Sequence, residues 1–179
     1  MKWNFVKQTT LKHMKKYFLL ISTIIFMFSC TSDVQFSTPG FQARKDNFLW
    51  RATKPQASIA GAILTVKAFT GVESVIMKIP APLSTVFSNN PLTYSFGITQ
   101  SQPTNDAEAN FTSTTDGVIL NYTTNTAQSN GQFVITSFDL TSRKLTGTFR
   151  FNATYQGVDP AIAKNVNFQE GFMFEIPVY

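Results

Sequence analysis

From Phe41 to the C-terminus, short runs of apolar and β-branched residues alternate with turn residues, and no helical period extends beyond a single turn at Leu83–Phe87. Side chains that repeat every two residues fall alternately on the two faces of a sheet, so each run reads as a strand with one buried face. Four hairpins follow. Asp46-Asn47 as a two-residue loop pairs Ala43 with Trp50 and Phe41 with Ala52, giving one apolar face. Thr70-Gly71 pairs Phe69 with Val72. Ala62, Leu64, Val66 and Ala68 then share a face with Val75, Met77 and Ile79, and Glu73 is the only exception. Asp116-Gly117 is the strongest turn signal, because type I′ geometry needs φ > 0 at both positions; it sets Phe111 opposite Tyr122 and Thr115 opposite Val118. The fourth hairpin joins Phe133–Leu140 to Leu145–Tyr155 through Thr141–Lys144, with Phe138 across from Gly147.

The strand after that last turn alternates cleanly. Leu145, Gly147, Phe149, Phe151, Ala153 and Tyr155 point one way, while Thr146, Thr148, Arg150, Asn152 and Thr154 point to water. The terminal stretch keeps one phase through Phe168, Phe172, Phe174, Ile176 and Val178, and Pro177, which cannot donate to a ladder, places its end on an edge. A strand at Leu92–Phe96 and loops at 98–107, 124–131 and 156–165 complete the pattern. The expected fold is all-β: an antiparallel β-sandwich or flattened barrel of about 8–10 strands.

The first 30 residues break this pattern. Lys15 and Lys16 precede an 11-residue apolar run, Phe18 to Phe28, and small Ser29 then leads into Cys30, the only cysteine. That order is the anatomy of a secretory signal. The run is too short to span a membrane, which takes about 20 apolar residues. A cysteine at this place resembles a bacterial lipobox, whose thiol takes acyl chains such as palmitate and becomes the N-terminus after cleavage; Met27 and Ser29 fit, and Phe28 stands where a small residue is usual. The organisation expected is therefore a helical signal segment over 1–29, with synthesis starting at Met14. A lipidated Cys30 and tether follow over 30–40, and a single domain over 41–179. Several acyl chains give stable anchoring.

Charge and residue types narrow the chemistry. The net charge of +5 comes from five lysines within residues 1–29, a stretch without acids; the remaining ten Lys and Arg match the ten acids. A neutral domain has no overall excess for neutralising nucleic acid. His13 is the only histidine and falls in the signal, so the mature domain has neither His nor a free thiol. Ser-His-Asp and Cys-His catalysis and the usual zinc sites are excluded on that footing. Asp106 and Glu108, in the polar stretch QSQPTNDAEAN, are weak Ca²⁺ candidates, since EF-hand spacing is absent. Trp50 and Tyr155 share phase with core residues. The triplets beginning at Asn110, Asn121 and Asn152 match glycosylation acceptors and are read as chance in a Thr/Asn-rich surface.

GQFVITSFDLTSRKLTGTFRFNA (Gly131 to Ala153), followed by an aromatic strand ending in IPV (Ile176 to Val178), resembles a domain-of-unknown-function family of small bacterial envelope lipoproteins. FQARKDNFLWRA and ILTVKA match it more loosely, and the distinctive part is the Gly131–Ala153 hairpin. The resemblance implies a lipid-anchored β-sandwich-like domain and carries no known activity or catalytic residues.

The functional expectation is a lipid-anchored envelope protein, on the outer membrane in preference to the inner, acting as a non-catalytic binding or structural module. Its partners would be the membrane through Cys30 and a glycan, peptide or envelope protein, with no cofactor and no nucleic acid. The alternatives are a carbohydrate-active enzyme using two carboxylates, with Asp106, Glu108, Asp116 and Asp139 as the acids to locate, and a Ca²⁺-dependent adhesin.

Overall fold

Turn chemistry determines the architecture from Gly40 onward. The computed structural model describes residues 39–97 and 107–179; the signal segment, Cys30, residues 31–38 and Asp106 lie outside them. Eleven strands follow in order: β1 (Gly40–Lys45), β2 (Phe48–Arg51), β3 (Gln56–Ala60), β4 (Ile63–Phe69), β5 (Glu73–Pro80), β6 (Leu92–Phe96), β7 (Glu108–Thr115), β8 (Val118–Thr123), β9 (Asn130–Asp139), β10 (Lys144–Tyr155) and β11 (Asn165–Pro177). They form one antiparallel sheet in the order β2-β1-β11-β10-β8-β7-β5-β4-β3, with β9 also on β10 and β6 on β9. The sheet curls until β3 reaches the end of β11. Ala57 bridges Val178, Tyr179 donates its N–H to the Ala57 carbonyl at 2.9 Å, and Ile59 donates to Tyr179 at 3.0 Å. The expected all-β class is found as this curled sheet.

Two hairpins have the expected register. Asp46 and Asn47 carry φ of 49° and 71° and place Ala43 opposite Trp50; Asp116 and Gly117 carry 50° and 79° and place Phe111 opposite Tyr122. Two others slip by two residues at the turn, which keeps a side chain on its face; on β9 the register shifts once more between Ser137 and Ile135, so Phe133 and Ile135 are buried out of phase with Phe138. Phe69 pairs with Ser74 instead of Val72, because the Thr70 hydroxyl accepts the Glu73 N–H at 3.0 Å and the Thr70 N–H donates to the Glu73 carbonyl at 2.8 Å, which moves the loop on to Gly71-Val72. Phe138 pairs with Leu145 instead of Gly147, because the Asp139 carboxylate accepts the Thr141 N–H at 2.8 Å and Arg143 takes φ 51°. Gly147 matters for another reason. A β-carbon there would sit 2.2 Å from the Val134 carbonyl, so glycine allows β9 to press close. β3, a strand that the sequence pattern does not single out, is joined to β4 by a two-residue turn, Gly61-Ala62, with Gly61 at φ 59°; Ala62 is exposed in that turn and not on the apolar face.

The single phase expected of the last strand is also corrected. Glu170 and Glu175 sit at φ 50° and 48°, and the pairings of β11 skip a residue beside each. Such bulges flip the side-chain phase. Val166, Phe168, Gly171, Met173, Ile176 and Val178 are therefore buried, while Phe172 and Phe174 stack on the other face, centroids 6.1 Å apart. Pro177 pairs with Lys144, and β1 ends opposite Phe174, so the missing N–H falls between β1 and the β3 contact, a local edge only.

Aromatic contacts bind the inner faces together. Phe151 stacks on Phe168 at 4.6 Å, Trp50 meets Phe168 edge-on at 5.6 Å, and Phe41 lies 4.7 Å from Phe149. Trp50 is thus a core residue, as its phase implies. Buried aromatics of this size contribute most of a small β domain's apolar burial.

β10 changes partner partway along. Residues up to Asn152 pair with β9, whereas Thr154 and Tyr155 pair with β8. Where the two ladders separate, Thr124, Ser129 and Thr154 are buried, and their hydroxyls are satisfied: Ser129 lies 3.0 Å from the Thr154 hydroxyl and 2.6 Å from that of Thr126, and Thr124 accepts the Ala109 N–H at 2.8 Å. Removing one member strands its partners away from water. Thr154→Val should cost about 1–3 kcal/mol in urea unfolding despite its near-identical volume. Gly147→Ala should cost a similar amount, about 1–3 kcal/mol, through the forced retreat of β9.

Candidate functional site

Two groups of polar side chains stand out, one at the end of the sheet's interior and one on its outer face. The first resolves the one exception on the β4–β5 apolar face. Glu73 accepts the Trp50 indole N–H at 2.6 Å and forms a half-buried ion pair with Lys45, whose ammonium lies 5.1 Å from the centre of the Phe111 ring. The β1–β2 hairpin is thereby tied to β5 across the interior. Both carboxylate oxygens are occupied, so the group acts as a clasp.

The second group lies on the water-facing side of β9, β10 and β11, where β10 changes partner. Asn152 is paired with Asn130 on one side and with Asn167 on the other, so three asparagines stand in a row across three strands. Strand spacing of about 4.8 Å makes that row roughly 10 Å long. In the neighbouring row Arg150 lies opposite Gln132, and on its other side the bulge at Glu170 bends β11. Bulges re-aim side chains beside such places. The three asparagines, Arg150, Gln169 and Glu170 line an open groove of about 690 Å³. Phe151 and Phe168 also border it, but both rings are buried in the core, so their backbone faces the groove. A second hollow of about 330 Å³ shares Arg150 and Glu170.

Polar groups in the groove are left incomplete. Arg150 is exposed and has neither an ion pair nor a hydrogen bond among the described residues, whereas Arg44 holds Glu170 at 2.9 Å. The Asn152 side-chain oxygen is sealed from solvent and has no donor. A buried acceptor without a partner costs about 1–3 kcal/mol, so such atoms are uncommon in native folds.

The acids named from sequence are not gathered here. Glu108 lies on β7, not in a loop, and accepts from Lys78 at 2.8 Å. Asp116 is exposed in the β7–β8 turn, a whole strand away from Glu108. Asp139 caps the β9–β10 turn. No three His, Cys, Asp or Glu side chains are grouped as metal ligands among the described residues. Burial pushes the Tyr94 and Tyr122 phenols above their ordinary 10.0, Tyr122 with help from Tyr155 and Asp46, which keeps both neutral at pH 7. The sequence signalled the groove only as the wet face of one strand, through Arg150 and Asn152; Asn130 and Asn167 join them through pairing, and Gln169 through the bulge of β11.

Fold and groove together define an all-β module with a polar, amide-lined depression on its outer face. By family, the chain belongs to the group described as Domain of unknown function (DUF6252), whose model matches residues 37–177. No curated protein and no solved structure matches it.

Glu73→Ala should lower stability by about 1–3 kcal/mol, since Trp50 and Lys45 both lose a partly buried acceptor; urea titration read by tryptophan fluorescence reports it. The Asp139 carboxyl is held below its ordinary 3.8 by the Ser142 hydroxyl and then the Thr141 N–H. A depressed folded value means this stabilisation is complete above the unfolded value and disappears as pH falls through the folded one. Carboxyl-carbon NMR should place its titration below that of an unstructured Asp, and Asp139→Ala should abolish the acid-dependent weakening of the β9–β10 turn.

Proposed function

We propose that this is a lipid-anchored cell-envelope protein, acylated at Cys30 after removal of residues 1–29, whose β domain is a non-catalytic binding or structural module. The outer membrane is its proposed location. The signal anatomy of Lys15–Cys30 supports the anchor.

One observation supports the non-catalytic part: all but one of the described acids already hold a partner. Asp46 accepts the Asn167 N–H, Glu73 holds Lys45 and Trp50, Glu108 holds Lys78, Asp139 caps a turn, Asp159 accepts the Ala161 N–H, Glu170 holds Arg44 and Glu175 holds Lys144. Only Asp116 among the described acids has no such contact. A glycosidase needs two acids flanking the scissile bond, one of them free to protonate it. A carboxylate already committed to a cation or a turn is poorly placed for that exchange. The incomplete hydrogen bonding lies instead in the groove, where it suits holding a ligand.

Expressed in a bacterial host with an alkyne-tagged palmitate, the wild-type chain should label, fractionate with membranes, and show a mature mass beginning at an acylated residue 30. Cys30→Ser should lose the label and accumulate with its signal attached. A mature protein that retains residue 20, or membrane retention unchanged in Cys30→Ser, would contradict the anchor.

A further inference from the structure

We infer that the groove over β9, β10 and β11 is a binding site for an acidic saccharide, a chain of polyhydroxylated rings bearing carboxylates. The inference goes beyond the proposed role and does not depend on how the chain is anchored.

Three features converge on that chemistry. Arg150 presents a cation on the exposed phase of β10 with no acid of its own among the described residues, since Glu170, which also lines the groove, is held by Arg44. Its planar fork matches a carboxylate with two parallel hydrogen bonds, a fit that a compact ammonium does not reproduce. Next to it, Asn130, Asn152 and Asn167 form the row across three strands. Each amide offers two donors and an acceptor, so the row suits a ligand dense in hydroxyls, each of which both donates and accepts. The Asn152 oxygen lacks a donor among the described residues, and a hydroxyl entering the groove supplies one once the amide turns about its terminal torsion.

The lining also argues against other occupants. Phe151 and Phe168 turn their rings into the core, so the larger of the two hollows has no apolar side chain for a hydrophobic ligand to bury against. Extended peptides are usually held through the free edge of a sheet, with pockets for alternate side chains. Here all three strands under the groove are paired: β10 lies between β9 and β11, β6 covers the other edge of β9, and β1 that of β11. What is offered is therefore a face. Its volume of about 690 Å³ lies within the range of small-ligand sites.

The test uses the full chain in detergent at about 0.15 M salt, where screening confines electrostatic attraction to about 8 Å. A short oligogalacturonate and a hyaluronan oligosaccharide are titrated by calorimetry. The same oligogalacturonate as its methyl ester keeps the hydroxyls and removes the charge, and a peptide with a free C-terminus supplies a carboxylate without them. Saturable binding of at least one acidic saccharide is expected, weakened about tenfold or more in Arg150→Ala and in the methyl ester. Asn130→Ala, which leaves the buried Asn152 in place, should weaken it several-fold, and Lys67→Ala, on β4, should leave it unchanged. Each variant is compared only after its melt matches wild type. Three results would overturn the assignment: no saturable binding of either acid saccharide below millimolar concentration, equal binding of acid and ester, or binding indifferent to both Arg150 and Asn130. Binding of the peptide alone would transfer the groove to another class of ligand.

Discussion

One strand has more neighbours than a straight ladder allows, and the rest of the structure depends on how that is resolved. β10 holds β11 along one edge, while its other edge serves β9 up to Asn152 and β8 from Thr154 onward. A sheet can fork in this way only if the backbone and side-chain polar groups at the fork find partners away from water. Thr126, Ser129 and Thr154 supply them from their own hydroxyls. Inside the fork the strand buries Leu145, Phe149, Phe151 and Ala153; outside it presents Arg150 and Asn152. Core and groove are two sides of the same alternation.

The charge distribution follows the same division. Lys45 and Glu73 lie half-buried at the end of the interior, where the indole of Trp50 completes the acid's coordination. On the surface, Arg44–Glu170 and Lys144–Glu175 hold two glutamates at positive φ, each at a bulge of β11. Exposed ion pairs contribute at most about 1 kcal/mol, comparable with the cost of a non-glycine residue in that region. The pairs therefore offset local strain and add little to global stability. Arg150, where the groove opens, has no such acid among the described residues; Arg51, Lys54, Lys67, Arg143 and Lys164 have none either.

How much of this could be read in the sequence depended on what sets each turn. Asp46-Asn47 and Asp116-Gly117 were legible because a two-residue turn with both φ positive fixes register by backbone geometry alone. Thr70–Glu73 and the turn after Asp139 were misplaced by two residues, since a hydroxyl and a carboxylate capping the backbone decided where the loop falls. At Thr70–Glu73 a slip of two preserves the face, so that buried set survived the error, whereas on β9 the irregularity between Ile135 and Ser137 changes the phase of Phe133 and Ile135 relative to Phe138. The bulges of β11 left no trace, because the residues at positive φ are glutamates and not glycines, and one phase was extended across two flips. β3 was missed because Ala62, an apolar residue, sits in its turn. The groove needed the fold itself: Asn130, Asn152 and Asn167 are far apart in the chain and ordinary on a wet strand face, and only pairing aligns them.

The most direct measurement follows the side-chain amide resonances of the described asparagines by NMR as an acidic oligosaccharide is added. Asn130, Asn152 and Asn167 should shift together along one saturation curve, while Asn89 and Asn90, in the turns before β6, stay in place. Shifts confined to those turns, or an unmoved Asn152 at saturation, would contradict the placing of the binding face at the fork of β10.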